Sequence, residues 1–286
     1  MQDVSVGIDV AESRRGLDLV ALDGDRRIVA ARSHLAVVDA AQLVHELEPS
    51  MVCIDSPSQW STSGSSREAE RELRTVGINA YRTPAQDRAG PFHDWMRAGF
   101  TIYEAIGHDY PRYRGGDVMG TAAEYFPHAS AVVLAGRIGP LKDKLAFRRH
   151  VLEDHGVATT SLRTQDQVDA ALGALTGLIA LAGGSSWVGD ADEGALLLPC
   201  LKPTVRYLRV EGTPLVAGGA GKTSVRSRSQ SSLTTMARQT CACGCGAVVR
   251  RTFLPGHDAK LRSQLLRKAR TGASAQAELK RRNWLL

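Results

Sequence analysis

The pattern of apolar and polar positions in the first sixty residues predicts three strands, a helix and a fourth strand. Asp23-Gly24-Asp25 supplies turn chemistry between the second and third strands, and Asp39 is placed to cap the helix. The last strand is a continuous apolar run, which is typical of a sheet covered on both faces. In chain order, the predicted elements are strands over 4–10, 16–22 and 27–33, a helix over 39–47 and a strand over 50–55.

The rest of the first 211 residues alternates between helical patterns and short apolar runs. The helical pattern nearest the end of this region is rich in small residues, so we expect it to pack closely on the sheet. The apolar segments within 187–211 are short enough to add edge strands. The predicted elements are helices over 65–77, 92–107, 141–155 and 164–182, and a fifth strand over 122–126.

Composition changes sharply after this region. Residues 212–240 are mostly Gly, Ser, Thr and Arg, which predicts a flexible linker. We therefore expect a main domain over 1–211, the linker, and a small module over 241–286. Residues 1–211 contain 22 Lys and Arg against 28 Asp and Glu, whereas residues 212–286 contain 14 against 2. A basic segment of this kind favours contact with a polyanion, and a solubilising disordered tail is the alternative.

The chain shows no targeting pattern or disulfide framework. No apolar run approaches the ~20 residues of a membrane span, and the N-terminus lacks the pattern of a secretory signal. The five cysteines are not spaced as a disulfide framework, so we expect reduced thiols and a cytoplasmic location. The sequence leaves the oligomeric state open.

Four acidic residues stand out against this apolar background. Asp9 and Asp55 end buried strands, Glu124 lies in the fifth strand, and Asp169 lies in the late small-residue helix. A carboxylate in a buried strand is costly unless a cation neutralises it. Oxygen ligands from distant parts of a chain suit hard divalent cations, so the four acids predict a site for Mg²⁺ or Mn²⁺.

The order of elements and acids resembles the RNase H-like superfamily, which includes retroviral integrases and the RuvC resolvases. More specifically, residues 3–185 resemble a bacterial and archaeal family of unknown function that is described as predicted RNase H-like nucleases. The resemblance implies a mixed five-stranded α/β sheet flanked by helices. The motifs that carry it are Gly7-Ile8-Asp9, Ile54-Asp55-Ser56-Pro57, Arg71-Glu72-Leu73-Arg74 with Gly77, Glu124-Tyr125-Phe126-Pro127 and Asp166-Gln167-Val168-Asp169-Ala170.

Phosphodiester cleavage by two metal ions needs the ions ~3.5–4 Å apart and a carboxylate that bridges them. Asp9, at the end of the first strand, is placed for that role. Asp55 on an adjacent strand would lie about 4.8 Å away. Asp166 and Asp169 are three residues apart and share a helical face, so both are candidate ligands, with Asp169 ranked first. The alternatives are a turn or cap role for Asp9, a turn role for Asp55, an arginine partner for Glu124, and a helix cap for Asp166.

Several further residues are candidates for phosphate contacts. Arg67, Arg71 and Arg74 recur at helical spacing, although a solvated helix face is the alternative. Lys142 and Lys144 follow Gly139-Pro140 and could bind a phosphate or lie on a surface helix. His128 could orient a water molecule or the scissile phosphate, or be a structural histidine.

The C-terminal module contains a second candidate metal site. Cys241, Cys243 and Cys245 are spaced two residues apart with glycines between or after them, and His257 follows twelve residues later. Three thiolates and an imidazole fit a structural Zn²⁺ site, and free thiols on a disordered tail are the alternative. The stretch is similar to a small module of actinobacterial proteins. Basic residues for phosphate-backbone contacts are Arg250, Arg251, Lys260, Arg262, Arg267, Lys268 and Arg270.

These features predict a metal-dependent nuclease that binds DNA or RNA through its basic module. An actin-like ATPase or sugar-kinase-type phosphotransferase is one alternative, because such enzymes also begin with a strand containing Gly-Ile-Asp. Here Val10-Ala11-Glu12-Ser13 follows that aspartate, where those enzymes need a glycine-rich phosphate hairpin. A non-catalytic nucleic-acid-binding protein on the same fold is the other alternative.

Overall fold

The structure of the chain is a computed structural model. It describes residues 3–11, 15–62, 64–140 and 142–209, and the backbone of two short strands near the C-terminus. The chain divides into two units, residues 1–218 and 219–286. In the second unit, Gln239–Thr240 and Val248–Val249 form an antiparallel pair. The predicted limits of the linker and module stay predictions.

A seven-stranded mixed sheet forms the centre of the first unit, with strand order β3-β2-β1-β4-β5-β7-β6. Strands β1 to β3 are antiparallel, β4 and β5 run parallel to β1, β7 runs parallel to β5, and β6 pairs antiparallel with β7. The predicted α/β class is confirmed, and β6 and β7 add two strands. The strands are β1 Val4–Val10, β2 Leu17–Asp23, β3 Ile28–Leu35, β4 Met51–Asp55, β5 Thr121–Glu124, β6 Ser186–Asp190 and β7 Gly194–Leu198.

In the described part of the chain, six α-helices cover the sheet; five begin one to three residues away from the predicted start, and one was not predicted. Helix α1 begins after Ala36, which places Asp39 in its first turn and not at its cap. Helix α4 was not predicted, because its residues are apolar on almost every side and lack a helical stripe. The helices are α1 Val37–Leu47, α2 Glu68–Thr75, α3 Asp94–Ile106, α4 Pro127–Ala135, α5 Lys144–Asp154 and α6 Gln165–Leu181.

Alternate residues of each strand face opposite sides of the sheet, so the core forms one layer on each face. One layer packs Val6 and Ile8 of β1 with Val52 and Ile54 of β4 against α1 and α3. The other packs Cys53 and neighbouring strand residues against α5 and α6. Because successive strand side chains point to opposite faces, every second residue of β1 and β4 faces α6.

Helix α6 lies unusually close to β1 because small residues line the contact. A Cβ atom at Gly7 would overlap the Ala170 carbonyl, and a Cβ atom at Gly177 would overlap the Ser5 hydroxyl. The predicted close packing of the small-residue helix is therefore present. Among the described residues, no helix has the length and apolar character needed to cross a membrane.

Candidate active site

Asp9 and Asp55 lie side by side at the ends of two parallel strands. They are register partners in the β1–β4 pair, and both occupy the alternate positions that face α6. Asp9 is only 8% exposed, and Asp55 is half-buried. Their shared register and sheet face place the two carboxyl groups next to each other. The predicted meeting of these two aspartates is present.

Asp169 approaches this pair from α6. Its carboxylate, 4% exposed, accepts a buried hydrogen bond from Arg148 Nη1 of α5. Its other oxygen, Oδ1, is buried and has no hydrogen-bond partner in the described structure. The Tyr125 hydroxyl donates to the Asp169 backbone carbonyl at 2.7 Å, which fixes this turn of α6 against the sheet. An unpartnered buried oxygen is costly, and a cation is one group that could satisfy it.

Burial and neighbouring acids raise the pKa values of all three carboxyl groups. Burial and then the charge of Asp55 raise the pKa of Asp9 well above its ordinary value. Burial and then the charge of Asp169 raise the pKa of Asp55 in the same way. Burial raises the pKa of Asp169 to about 6, although Arg148 lowers it. Mutual repulsion of buried acids is the electrostatic condition that a bound cation relieves.

Glu124 lines the same cavity as Asp55, and its charge raises the pKa of Asp55, but its direct partners are different. It is the register partner of Ile54, and Ile54 faces away from α6, so the glutamate lies on the opposite face of the sheet. Both of its oxygens accept hydrogen bonds from Arg67, which is 1% exposed. Arg67 Nε also donates to Glu70 at 3.1 Å. Glu124 therefore has an arginine partner, as the alternative prediction stated. To act as a metal ligand, Glu124 would have to separate from Arg67.

The two other acids near the pair have partners of their own. Asp166 accepts a 2.7 Å hydrogen bond from Arg15 and is not the cap of α6, because Thr164 caps that helix. The charge of Asp166 nevertheless raises the pKa of Asp9. Asp18, the register partner of Asp9 on β2, accepts hydrogen bonds from the Ser33 hydroxyl, the Thr164 hydroxyl and a backbone amide.

The acids suit a divalent cation in chemistry but are not arranged as a finished site. Within the described part of the chain, no three His, Cys, Asp or Glu side chains converge closely enough to hold one ion. The reason is visible in the contacts, because Arg148 binds Asp169 and Arg67 binds Glu124. Hard oxygen donors, the raised pKa values and the unpartnered Asp169 Oδ1 all fit Mg²⁺ or Mn²⁺.

Two buried charged residues near the aspartates, Arg148 and Asp18, were not identified from the sequence. Arg148 lies three residues after Leu145 and four before Leu152, on the apolar stripe of its helix, where a cation needs a buried acid. Asp18 interrupts the apolar run of β2 in the same way. A charged residue in an apolar stripe was the available signal for both.

The predicted zinc ligands and nucleic-acid contacts lie outside the described residues. They are Cys241, Cys243, Cys245 and His257 for zinc, and Arg250, Arg251, Lys260, Arg262, Arg267 and Lys268 for nucleic acid.

A family model matches residues 7–193 of the chain, under the description "Protein of unknown function (DUF429)". The chain belongs to this family. The DUF429 match includes all four predicted acids and ends before the basic C-terminal segment. No match was found among proteins of curated function.

Two solved structures are similar to this DUF429 chain. One is described as T. thermophilus RuvC in complex with Holliday junction substrate, with 15% identity, a TM-score of 0.35, and coverage of 63% of this chain and 94% of that one. The other is described as a Thermus thermophilus RuvC structure, with 14% identity, a TM-score of 0.35, and coverage of 65% and 99%. At this level of similarity neither assigns an activity to the DUF429 chain.

Proposed function

We propose that this protein is a metal-dependent nuclease that hydrolyses phosphodiester bonds of nucleic acid. One observation carries the proposal: Asp9 and Asp55 are register partners at the ends of adjacent strands and face α6, which adds Asp169 as a third acid. Structural acids are normally satisfied by donors, as Asp18 is. In the Asp9–Asp55 pair, one acid lies beside another. Such a pair of like charges is unfavourable for folding and is common at functional sites.

Asp9, Asp55 and Asp169 would hold the ion, and Asp166 is the nearest additional acid. A divalent ion, when bound, supplies a more acidic water molecule and neutralises charge on the phosphoryl group. The charge of such an ion would favour the ionised forms of Asp9 and Asp55, whose pKa values are raised without it. Asp169 would offer its unpartnered Oδ1, while Arg148 holds the other oxygen in place. Glu124, bound to Arg67, would fix the neighbouring strand end and serve as a ligand only if that pair opens.

The charge distribution supports a polyanionic substrate. The segment 212–286 carries 14 Lys and Arg against 2 Asp and Glu, so it would attract a phosphate backbone and raise the local substrate concentration. The predicted Zn²⁺ site in that segment would stabilise the module and take no part in cleavage.

One observation favours the alternative of a non-catalytic nucleic-acid-binding protein. Two of the four predicted acids are already neutralised by buried arginines, as a purely structural network would require. Among the described residues, no such cation is in direct contact with the Asp9–Asp55 pair, and for this reason we favour the nuclease.

A cleavage assay tests the proposal. The purified chain is incubated with labelled single-stranded, duplex and branched DNA and RNA in Mn²⁺ or Mg²⁺. We expect metal-dependent cleavage of at least one substrate, and a loss of roughly 100-fold or more in Asp9→Asn and Asp55→Asn, because each removes a ligand charge.

The matched control is Asp192→Asn, which removes one carboxylate that is exposed and paired with Arg114. It should retain activity. Cleavage that persists in Asp9→Asn, or that is absent from the wild type with every substrate and metal, would leave the non-catalytic alternative standing.

A further inference from the structure

A second cavity, of about 390 Å³, lies beside the acidic site and has the opposite charge. Its wall includes Lys144 and Arg148 of α5, Arg209, and the imidazole of His128 from α4. No carboxylate lines it within the described part of the chain. A concave site that gathers three cations and no acid is built for an anion.

The positive charge of this cavity is only partly balanced. Arg148 is paired with Asp169, whereas Lys144 and Arg209 are exposed and have no ion pair with any described residue. The effect on His128 is consistent with this excess. Burial, and then the charges of Arg148, Lys144 and Arg209, lower the pKa of His128 to about 4. The histidine is therefore neutral at pH 7 and can donate one hydrogen bond to an anion.

The cationic cavity shares lining residues with the cavity that contains Asp55. Tyr81 and Phe126 line both this cavity and a neighbouring one of about 220 Å³ that contains Asp55 and Glu124. Tyr81 is 66% exposed, so it forms an open edge between them. Arg148 makes the second connection, because its side chain lines the cationic cavity and also binds Asp169.

We propose that this cavity is a phosphate-binding subsite, in which Lys144, Arg209, Arg148 and His128 hold a substrate phosphate other than the one that is cleaved. The inference rests on the proposed nuclease function and adds a substrate requirement to it. A nucleic-acid strand carries phosphates at regular intervals, so a strand whose reacting phosphate lies at the acids presents a neighbouring phosphate to the cations. The exposed face of Tyr81 is placed to stack on a base between the two.

Arg148 couples the two sites. In the described structure its charge is shared between Asp169 and the cavity. A cation at Asp169 Oδ1 would draw charge from the carboxylate, weaken its ion pair with Arg148 and leave more of the charge of Arg148 for a phosphate. Linkage is reciprocal, so a bound phosphate would in turn favour the cation.

The test measures phosphate binding without catalysis. Inorganic phosphate is titrated calorimetrically into full-length Asp9→Asn protein in metal-free buffer, with chloride at matched ionic strength as the blank. We expect saturable binding that weakens about 10-fold or more when Lys144→Ala and Arg209→Ala are added, because each removes a charge-assisted hydrogen bond. Replacing Asp169 by Asn in place of that pair should tighten binding, because it releases Arg148 from its acid.

The control adds Lys142→Ala and Arg206→Ala, which remove the same charge from surface positions that do not line the cavity. It should change the affinity less than about 2-fold, since exposed charges are screened. The basic segment 212–286 is the same in both double variants, so its own phosphate binding contributes equally. Equal losses in the two double variants, or no saturable binding at all, would overturn the subsite.

A second arm separates the two sources of the phosphate. Oligonucleotides with a 5′-phosphate, a 3′-phosphate or neither are compared in the same Asp9→Asn background. Dependence on one end assigns the subsite to a terminal phosphate, and equal binding assigns it to an internal one.

If the subsite binds phosphate and the wild type cleaves nothing, the nuclease proposal fails and the subsite stands. If cleavage is normal and Lys144→Ala/Arg209→Ala behaves like the control, the subsite fails and the nuclease stands.

Discussion

Asp9 occupies a position that is unfavourable for its own ionised side chain. It is almost fully buried, its register partners on both neighbouring strands are acids, and the charges of Asp55 and Asp169 add to the penalty of burial. Asp18, one strand away, is buried to a similar extent but accepts hydrogen bonds from three donors. The same residue type thus has opposite energetic consequences at neighbouring positions, because donors surround Asp18 whereas the charges of other acids act on Asp9.

Asp9→Asn should raise the free energy of unfolding of the metal-free protein at neutral pH. The folded pKa of Asp9 is raised, so its ionised form costs stability above the unfolded pKa, near 4. The gain should therefore grow as the pH rises from 4 and disappear below it. Urea unfolding between pH 4 and 8, followed by circular dichroism, measures it.

Asp18→Asn is the matched comparison and should lower stability. The new amide group would face donors that now bind a carboxylate, and an unmatched buried pair costs about 1–3 kcal/mol. A destabilised Asp9→Asn at neutral pH would show that Asp9 is a structural acid.

The residues of the site could be predicted only in part. Asp9 and Asp55 were visible because an acid at the end of an apolar strand needs an explanation, and adjacent parallel strands bring such residues together. Arg148 and Arg67 were not predicted as buried partners. A sequence shows that a buried acid needs a cation, but the pairing of residues 21 and 57 positions apart depends on the packing of separate elements.

At the scale of elements, the site depends on how closely α6 approaches β1. Gly7 and the small residues of the helix allow backbone contact, and this brings Asp169 over the ends of β1 and β4. The Tyr125 hydroxyl then fixes the helix at the carbonyl of Asp169 itself. The close contact between α6 and the sheet therefore determines both the packing of the core and the position of Asp169.

Gly7→Ala should destabilise the fold by about 2–3 kcal/mol, because the added methyl group overlaps backbone atoms of α6 that have no room to move. Gly90→Ala is the control, since Gly90 has an ordinary extended φ and open space around it. Thermal unfolding of both variants gives the comparison. Equal melting temperatures would mean that α6 can shift away from β1 at little cost.

The elements also show why Glu124 has partners different from those of the aspartates. The sequence pattern correctly predicted five strands and the late helix. It grouped Glu124 with the aspartates, because the register of β5 against β4 could not be known from the sequence. Pairing with Ile54 assigns Glu124 to the opposite face of the sheet. A one-residue difference in register reverses the face, and short apolar strands do not specify that register in the sequence.

At the scale of the whole molecule, charge is divided between regions. The first 211 residues carry an acidic excess and the remainder a basic one, while the acidic site and the cationic cavity repeat that contrast within the first unit. A nucleic acid with a bound divalent cation is a partner that complements both signs. The composition predicted this partner class, whereas the cationic cavity required the three-dimensional placement of α4, α5 and residue 209.

Binding of Mn²⁺ to the full-length protein, followed by electron paramagnetic resonance, tests the central claim most directly, because Mn²⁺ prefers the oxygen ligands that the aspartates provide. We predict saturable binding in the wild type and in Asp192→Asn, and a loss in affinity of at least about 10-fold in Asp9→Asn and in Asp55→Asn. The same affinity in all four proteins would contradict the account.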